Sequence, residues 1–164
     1  MKLIRLSWTV AIVVMFVLSG SAPAQGNETS FRLFLTKLDS AQLELQNGKP
    51  DAFKSLWSHS DDVTLSGGFG GTIEKGWTAI GPRLDWVGKQ FSNGTNEIER
   101  LVAFTNGDLG YVVQLEHISF KVPASASEST KDYRVTMIFS REKRLGWRIV
   151  HRQADSELTK QAPK

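Results

Sequence analysis

His151 is the first residue whose type and setting could carry chemistry. Strand alternation over 147–153 places it on one face together with Trp147 and Ile149, beside apolar neighbours. An imidazole titrates near pH ~6.5, so His151 could act as a general acid or base around neutrality. The same side chain could instead be structural and donate a hydrogen bond to a neighbouring strand.

Glu116 is a carboxylate on a strand face that is otherwise mostly apolar and includes Val112 and Ile118. Burial raises the pKa of a carboxyl group unless a nearby cation compensates. Arg134, on the following predicted strand, is the partner that we expect. The Glu116–Arg134 pair could help to orient a polar ligand, with Glu116 as an acid or as the orienter of His151. Alternatively, it is a cross-strand ion pair that fixes register.

Several aromatic side chains could line a pocket, although core packing is the first explanation for each of them. The glycine-rich segment 67–71 contains Phe69, which could lie at a pocket rim. Glycines there otherwise indicate a bulge or a close backbone approach. The segment lacks the ending of a phosphate-binding loop, so we expect no nucleotide site. The ligand-binding candidates are Phe69, Trp77, Trp86, Tyr111, Arg134 and Trp147.

The sequence gives little support for a metal site or for a catalytic cysteine. The chain has no cysteine, which excludes disulfides and thiolate sites. His59, His117 and His151 are scattered without the spacing of metal ligands, and no Gly-x-Ser-x-Gly nucleophile motif occurs. We therefore expect neither a metal nor a cofactor.

The N-terminus has the three parts of a secretory signal peptide. Lys2 and Arg5 precede an apolar stretch at 6–18, and Ala-Pro-Ala at 22–24 supplies a cleavage pattern. The apolar stretch is shorter than the roughly 20 residues that a membrane-spanning helix needs. We expect 1–24 to be cleaved, which makes the protein periplasmic or secreted with no membrane attachment afterwards. An uncleaved anchor is the alternative.

Removing this leader takes most of the excess positive charge with it. Losing Lys2 and Arg5 lowers the 20 basic residues to 18, against 17 acidic ones, so the formal net charge falls from +3 to +1. Because nucleic-acid-binding surfaces concentrate Lys and Arg on one face, we expect no nucleic-acid partner. The remaining 140 residues suffice for one domain with a single core.

The elements that would position these residues are helices followed by strands. Apolar residues recur every three or four positions over 31–45, Asn47-Gly48 ends that helix, and Pro50 suits the start of a short second one. A third apolar stripe begins at Trp77, with Pro82 expected near its first turn. Strand patterns cover 63–69, 98–105, 109–122, 133–140 and 147–154. This order predicts an α+β fold in which helices cover the concave side of a long curved sheet and leave a cavity.

With its elements in this order, the sequence resembles the SnoaL-like branch of the nuclear transport factor 2 and ketosteroid isomerase superfamily. The resemblance rests on Asn47-Gly48, the entry to the first strand at 60–65, Gly76-Trp77 and, most specifically, the ending at 146–155. It implies a conical, mostly antiparallel sheet wrapped by about three helices. It also implies a homodimer formed through the sheet.

The domain implied by this resemblance spans 31–156. A flexible mature N-terminus at 25–30 precedes it, and a flexible C-terminal tail follows at 157–164.

The catalytic residues of the isomerase members do not carry over to this chain. Their general-base Asp falls at Gly67, and their two oxyanion donors fall near Ala41 and Met137. Steroid isomerisation by that mechanism is therefore not expected.

We expect an exported domain that binds a small, largely apolar organic molecule and acts on it by cofactor-independent acid/base chemistry of the isomerase, cyclase or hydrolase type. His151 would be the base. The alternative is a noncatalytic ligand-binding or dimeric assembly module, since this fold hosts both roles. A cavity under about 100 Å³, far below the roughly 300–1,000 Å³ of ordinary ligand sites, would favour the module.

Overall fold

The structure is a computed structural model that describes residues 22–124 and 127–156. Residues 1–21 of the expected signal peptide and the whole expected tail at 157–164 lie outside the described residues. Within the described ranges, no helix is both long and apolar enough to cross a membrane.

Three helices are described: α1 (Ala22–Leu45), α2 (Asp51–Ser55) and α3 (Trp77–Gly88). The end of α1 follows the prediction, because Gly48 adopts a φ of 80°, a left-handed conformation that glycine tolerates best. Pro82 lies in the second turn of α3, one turn later than expected.

Six strands form one sheet: β1 (Thr64–Ser66), β2 (Glu74–Lys75), β3 (Ser92–Asn106), β4 (Leu109–Lys121), β5 (Glu128–Glu142) and β6 (Gly146–Asp155). Their order is β2-β1-β6-β5-β4-β3. Neighbouring strands are antiparallel except β1 and β6, which are parallel. The predicted α+β class with a mostly antiparallel sheet is confirmed.

The core lies between the helices and the inner face of the sheet. Alternate residues of β4 and β5 are buried there, so these strands present one apolar face. Phe139 packs its ring against Phe31 and Phe34 of α1, with ring centroids 5.4 and 5.3 Å apart. The apolar stripe predicted for the first helix is therefore the surface that α1 buries.

The start of α1 is attached to the turn between β3 and β4. The Asn27 amide donates to the Gly107 carbonyl over 3.2 Å, and its side-chain oxygen accepts a hydrogen bond from Arg141. These contacts hold part of 25–30, the segment that we expected to be flexible, against the sheet as helix.

A β-bulge in β6 decides which of its side chains face the core. Ile138 of β5 pairs with His151 and Phe139 pairs with Ile149, so Val150 has no partner on β5. One extra residue reverses the alternation of faces beyond it. Trp147 and Ile149 are buried before the bulge, and Ala154 is buried after it. Arg152 therefore points inward and His151 points outward.

Candidate functional site

A small cavity lies on the inner face of the sheet, beneath the glycine-rich segment 67–71. It measures about 60 Å³. Its apolar lining comprises Leu45, Phe53, Leu65, Phe69, Leu84, Val87, Phe91, Ile118 and Ala154. Its polar lining comprises Gln42, Gln46, Arg83, Glu116, Tyr133 and Arg152. Ordinary ligand sites measure roughly 300–1,000 Å³, so this cavity is far smaller than they are.

Glu116 lies at the centre of the polar lining and is 0% exposed. Arg152 donates from Nη1 to Oε1 over 3.0 Å and from Nη2 to Oε2 over 2.8 Å. The amide nitrogens of Gln42 and Gln114 donate to Oε1 over 2.8 and 2.7 Å. The sequence prediction that Glu116 shares a buried face with Val112 and Ile118 is confirmed.

This arrangement keeps Glu116 ionised. Burial on its own raises the pKa of the carboxyl group, but the charge of Arg152 and the hydrogen bonds from Arg152, Gln42 and Gln114 outweigh it. The pKa of Glu116 is consequently held below its usual value. Glu116 is a poor proton donor near neutral pH.

A chain of polar contacts links Glu116 to Asp39 on α1. The Gln114 side-chain oxygen accepts from Arg100 Nε over 3.1 Å, and Arg100 forms an ion pair with Asp39 over 2.6 Å. Because Arg100 can only donate and Glu116 can only accept, both ends of the Gln114 amide have fixed roles.

Arg134 is not the partner of Glu116, so that prediction is wrong. Glu116 stands opposite Tyr133 in the β4–β5 ladder, which places Arg134 on the outer face opposite Leu115. There Arg134 donates from Nε to Asp155 over 2.9 Å. The cation that compensates Glu116 comes from β6, beyond the neighbouring strand.

The face predicted for His151 is also wrong, because the bulge at Val150 moves the imidazole to the outer face. Its Nδ1 lies 2.7 Å from Thr64 Oγ1 on β1. Burial lowers the pKa of His151 below its usual value. The sheet thus separates His151 from Glu116, and the two side chains cannot act on one molecule in the inner cavity.

Two of the predicted aromatic residues lie at the cavity. Phe69 lines it, and the ring of Phe69 packs on Phe91 and Trp86 at 5.5 and 5.3 Å between centroids. Trp86 is 42% exposed and covers Phe69 from outside. Gly68 lies so close to the Tyr133 ring that a Cβ there would be 2.3 Å from Cε1. Glycine is therefore needed where this segment crosses Tyr133.

The remaining predicted aromatic residues lie away from the cavity. Trp147 is in the core, with its ring 4.9 Å from that of Phe31. Trp77 stacks on His59 at 3.9 Å. Tyr111 lies on the outer face of the sheet, 5.5 Å from the Phe104 ring. None of these three rings lines the cavity.

Sequence reasoning missed Gln42, Gln46, Tyr133 and Arg152 as lining residues. Gln42 had a usable signal, because it is a polar residue on the apolar stripe of the first predicted helix, and Gln46 follows it four positions later. Arg152 had no such signal in the sequence, because ordinary alternation along the last predicted strand places it on the outer face.

A larger, open groove of about 870 Å³ lies between the start of α1 and the end of β3, and none of the predicted site residues lines it. Arg100 borders this groove but is already paired with Asp39. Within the described ranges, no three His, Asp or Glu side chains are placed together to hold a metal ion.

Comparisons with known proteins agree with this architecture. A nuclear transport factor 2-like superfamily protein from Salmonella enterica serovar Typhimurium LT2 is 18% identical, with TM-score 0.71 over 84% of this chain and 97% of that one. A protein from Streptomyces avermitilis, provisionally named a dehydratase of the same family, is 15% identical, with TM-score 0.69 over 82% and 99%. A Novosphingobium aromaticivorans protein, provisionally named a scytalone dehydratase, is 12% identical, with TM-score 0.67 over 86% and 93%.

At these identities the likeness shows the fold alone, and no curated protein matches the chain. The SnoaL-like domain family, in contrast, matches residues 39–155. Because this match covers well over half of the chain, the protein belongs to the SnoaL-like domain family.

Proposed function

We propose that the protein is an exported, noncatalytic module that binds a compact, largely apolar molecule in the cavity beneath Phe69. The observation that carries this proposal is the state of Glu116. Its two oxygens already accept four hydrogen bonds, from Arg152, Gln42 and Gln114. The charge of Arg152 and these hydrogen bonds hold the pKa of Glu116 below its usual value, which makes its carboxylate a weak base. Glu116 is better suited to organising the polar end of a binding site.

The size of the cavity supports a module over an enzyme. Its volume of about 60 Å³ is below the value of about 100 Å³ under which a noncatalytic module is favoured over an enzyme. A ligand larger than a few water molecules would enter by displacing the segment 67–71. Gly70 and Gly71 are exposed in this segment and have φ angles of 75° and 98°. Because glycine has no side chain, these two residues make few contacts that hold the segment over the cavity.

Export and pairing complete the proposal. The signal-peptide pattern at 1–24 supports a periplasmic or secreted location. The outer face of the sheet supports a homodimer, because it exposes an apolar patch of Val102, Phe104, Leu109 and Tyr111. Single exposed apolar residues are common on protein surfaces, whereas a contiguous group of this kind is typical of an interface.

The test is native mass spectrometry of the chain purified from the periplasm of a bacterial host. We expect a retained small molecule, and we expect Leu84→Phe, which fills the cavity, to abolish its retention while the protein stays folded. Leu33→Phe is the matched control, because Leu33 is exposed on α1 away from the cavity. A wild-type chain that retains nothing and binds no apolar probe would overturn the proposal.

A second candidate, an acid/base enzyme acting in the same cavity, is favoured by one observation. Tyr133 belongs to the cavity lining, and burial raises the pKa of its hydroxyl, so that it stays protonated and could donate a proton. Two solved relatives are provisionally named dehydratases. Turnover of a bound molecule that Tyr133→Phe abolishes would establish this candidate, whereas binding without turnover supports the module.

A further inference from the structure

Three buried polar atoms in residues of the cavity lining have no hydrogen-bond partner among the described residues. They are the side-chain oxygens of Gln42 and Gln46 and the hydroxyl of Tyr133. These residues are only 2%, 3% and 4% exposed. Buried polar groups are nearly always paired, because leaving one unpaired costs free energy. Trp57 Nε1 and the Asn96 amide are also unpaired but belong to residues outside the lining, whereas these three atoms belong to residues of one cavity, where a bound molecule could supply the missing partners.

The Gln42 side chain has a fixed orientation. Its amide nitrogen faces the Glu116 carboxylate, which is ionised and can only accept hydrogen bonds. Reversing the amide would place its oxygen against the carboxylate oxygen. The Gln42 oxygen must therefore point away from Glu116, where it can only accept. Gln46 follows four residues later, in the turn directly after α1, and contributes a second unpaired acceptor.

The inner end of the cavity carries no net charge. Glu116 and Arg152 neutralise each other through two hydrogen bonds, and Arg152 directs both of its Nη atoms to the carboxylate. Arg83, the other cation of the lining, stacks its guanidinium on exposed Trp86 at 4.4 Å, at the outer end. An anionic group placed inside would face the Gln42 oxygen without a free cation beside it, which is unfavourable.

Building on the proposed binding function, we propose that the ligand is a neutral molecule with an apolar body and a hydrogen-bond-donating group, such as an alcohol, a phenol or an amide. Its O–H or N–H donates to the side-chain oxygens of Gln42 and Gln46. Its oxygen accepts from the Tyr133 hydroxyl. The apolar body lies against the aromatic and aliphatic lining beneath Phe69.

The test compares four probes by isothermal titration calorimetry on the mature chain: p-cresol, anisole, toluene and benzoate. p-Cresol and anisole are isomers, so they differ in donor capacity but not in composition. We expect p-cresol to bind about tenfold more tightly than anisole or toluene, because only p-cresol donates to the unpaired oxygens. Benzoate should bind most weakly.

Gln46→Met and Tyr133→Phe test the residues themselves. Gln46→Met should bring the p-cresol to anisole affinity ratio toward one, because it removes an acceptor that only p-cresol can use. Tyr133→Phe should weaken p-cresol and anisole alike and leave toluene unchanged, because it removes a donor that both oxygen-containing probes use. Neither change should lower the melting temperature, because the altered atom has no partner in the protein. If either change lowers the melting temperature and leaves these affinities intact, the atom is paired structurally and its assignment to the ligand is wrong.

The outcomes also separate this inference from the proposed function. Equal affinities for p-cresol, anisole and toluene would overturn the donor class while leaving ligand binding in place. A cavity that binds none of the four probes would overturn the binding proposal as well.

Discussion

Arg152 of β6 and Glu116 of β4 form a bidentate ion pair that spans the intervening strand β5, with nitrogen–oxygen distances of 3.0 and 2.8 Å. Arg152 Nη1 also lies 3.6 Å from the sulfur of Met137 on β5. The pair therefore joins three strands on the inner face of the sheet. Both side chains are largely buried, so each needs the opposite charge of the other to offset the free-energy cost of burying its own charge.

Removing one member of this pair should destabilise the protein strongly. We expect Glu116→Gln and Arg152→Met each to lower the free energy of unfolding by about 3–5 kcal/mol, because the remaining charge is left buried without its partner. The double variant should lose less than the sum of the two. Urea denaturation of all four proteins gives the coupling energy, and additive losses would show that the pair is not coupled.

Acid should also remove the stabilisation that the ionised Glu116 side chain provides. The folded-state pKa of Glu116 lies below the ordinary value of 4.5, so the stabilisation by its ionised form is fully present above pH 4.5. It is lost as the pH falls through the lower folded-state pKa. We expect the melting temperatures of wild type and Glu116→Gln to converge below pH 4.5. A difference that stays constant with pH would contradict the assignment.

Gly68→Ala should disturb the cover of the cavity, because the new Cβ would lie 2.3 Å from Cε1 of the Tyr133 ring. We expect a loss of about 1–3 kcal/mol in stability, or an opened segment with increased exposure of Trp86. Gly67→Ala is the matched control, since no atom lies within 4 Å of a Cβ at that position. Denaturation and tryptophan fluorescence measure both effects, and equal behaviour of the two variants would refute the close contact.

The pKa values of the two histidines on the outer face, His117 and His151, should be shifted in opposite directions. Burial lowers the pKa of His151, whereas the hydrogen bond that His117 donates to Asp132, despite partial desolvation, raises the pKa of His117. An NMR titration should place His151 below and His117 above the ordinary value of 6.5. Both values on the same side of 6.5 would contradict these environments.

The His151 shift has a consequence for stability. Below about pH 6.5 the unfolded chain binds a proton on this residue before the folded chain does, so acid favours unfolding there. Wild type should therefore lose more stability than His151→Gln as the pH falls from about 7 to about 5. Thermal melts across that range measure the difference.

Phe104→Glu should dissociate the proposed homodimer, because it places a charge in the apolar patch of the outer face beside Tyr111. We expect the dimer dissociation constant to rise about tenfold or more. Leu33→Glu is the control, since Leu33 is similarly exposed but lies on α1. Size-exclusion chromatography with light scattering reports the masses. A monomeric wild type, or a dimer that tolerates Phe104→Glu, would contradict the interface.

Local patterns in the sequence predicted most of the architecture but not the two-residue strand β2. Periodicity located the three helices and the four long strands, and glycine chemistry located the end of α1 at Gly48. Alternation along β4 correctly placed Glu116 on the buried face, because β4 pairs regularly with β5 from Leu109 to Lys121. The family resemblance followed from the same ordered elements.

The partners of Glu116 depended on contacts between elements that are distant in the sequence. Arg152 reaches the inner face through the bulge at Val150, and a bulge leaves no signature in the alternation of residue types. Gln42 meets Glu116 only because α1 packs across β4, 74 positions further along the chain. The sequence alone therefore determined that a carboxylate is buried in a SnoaL-like sheet. Strand register and helix packing determined which cation neutralises it, and why His151 lies on the opposite face.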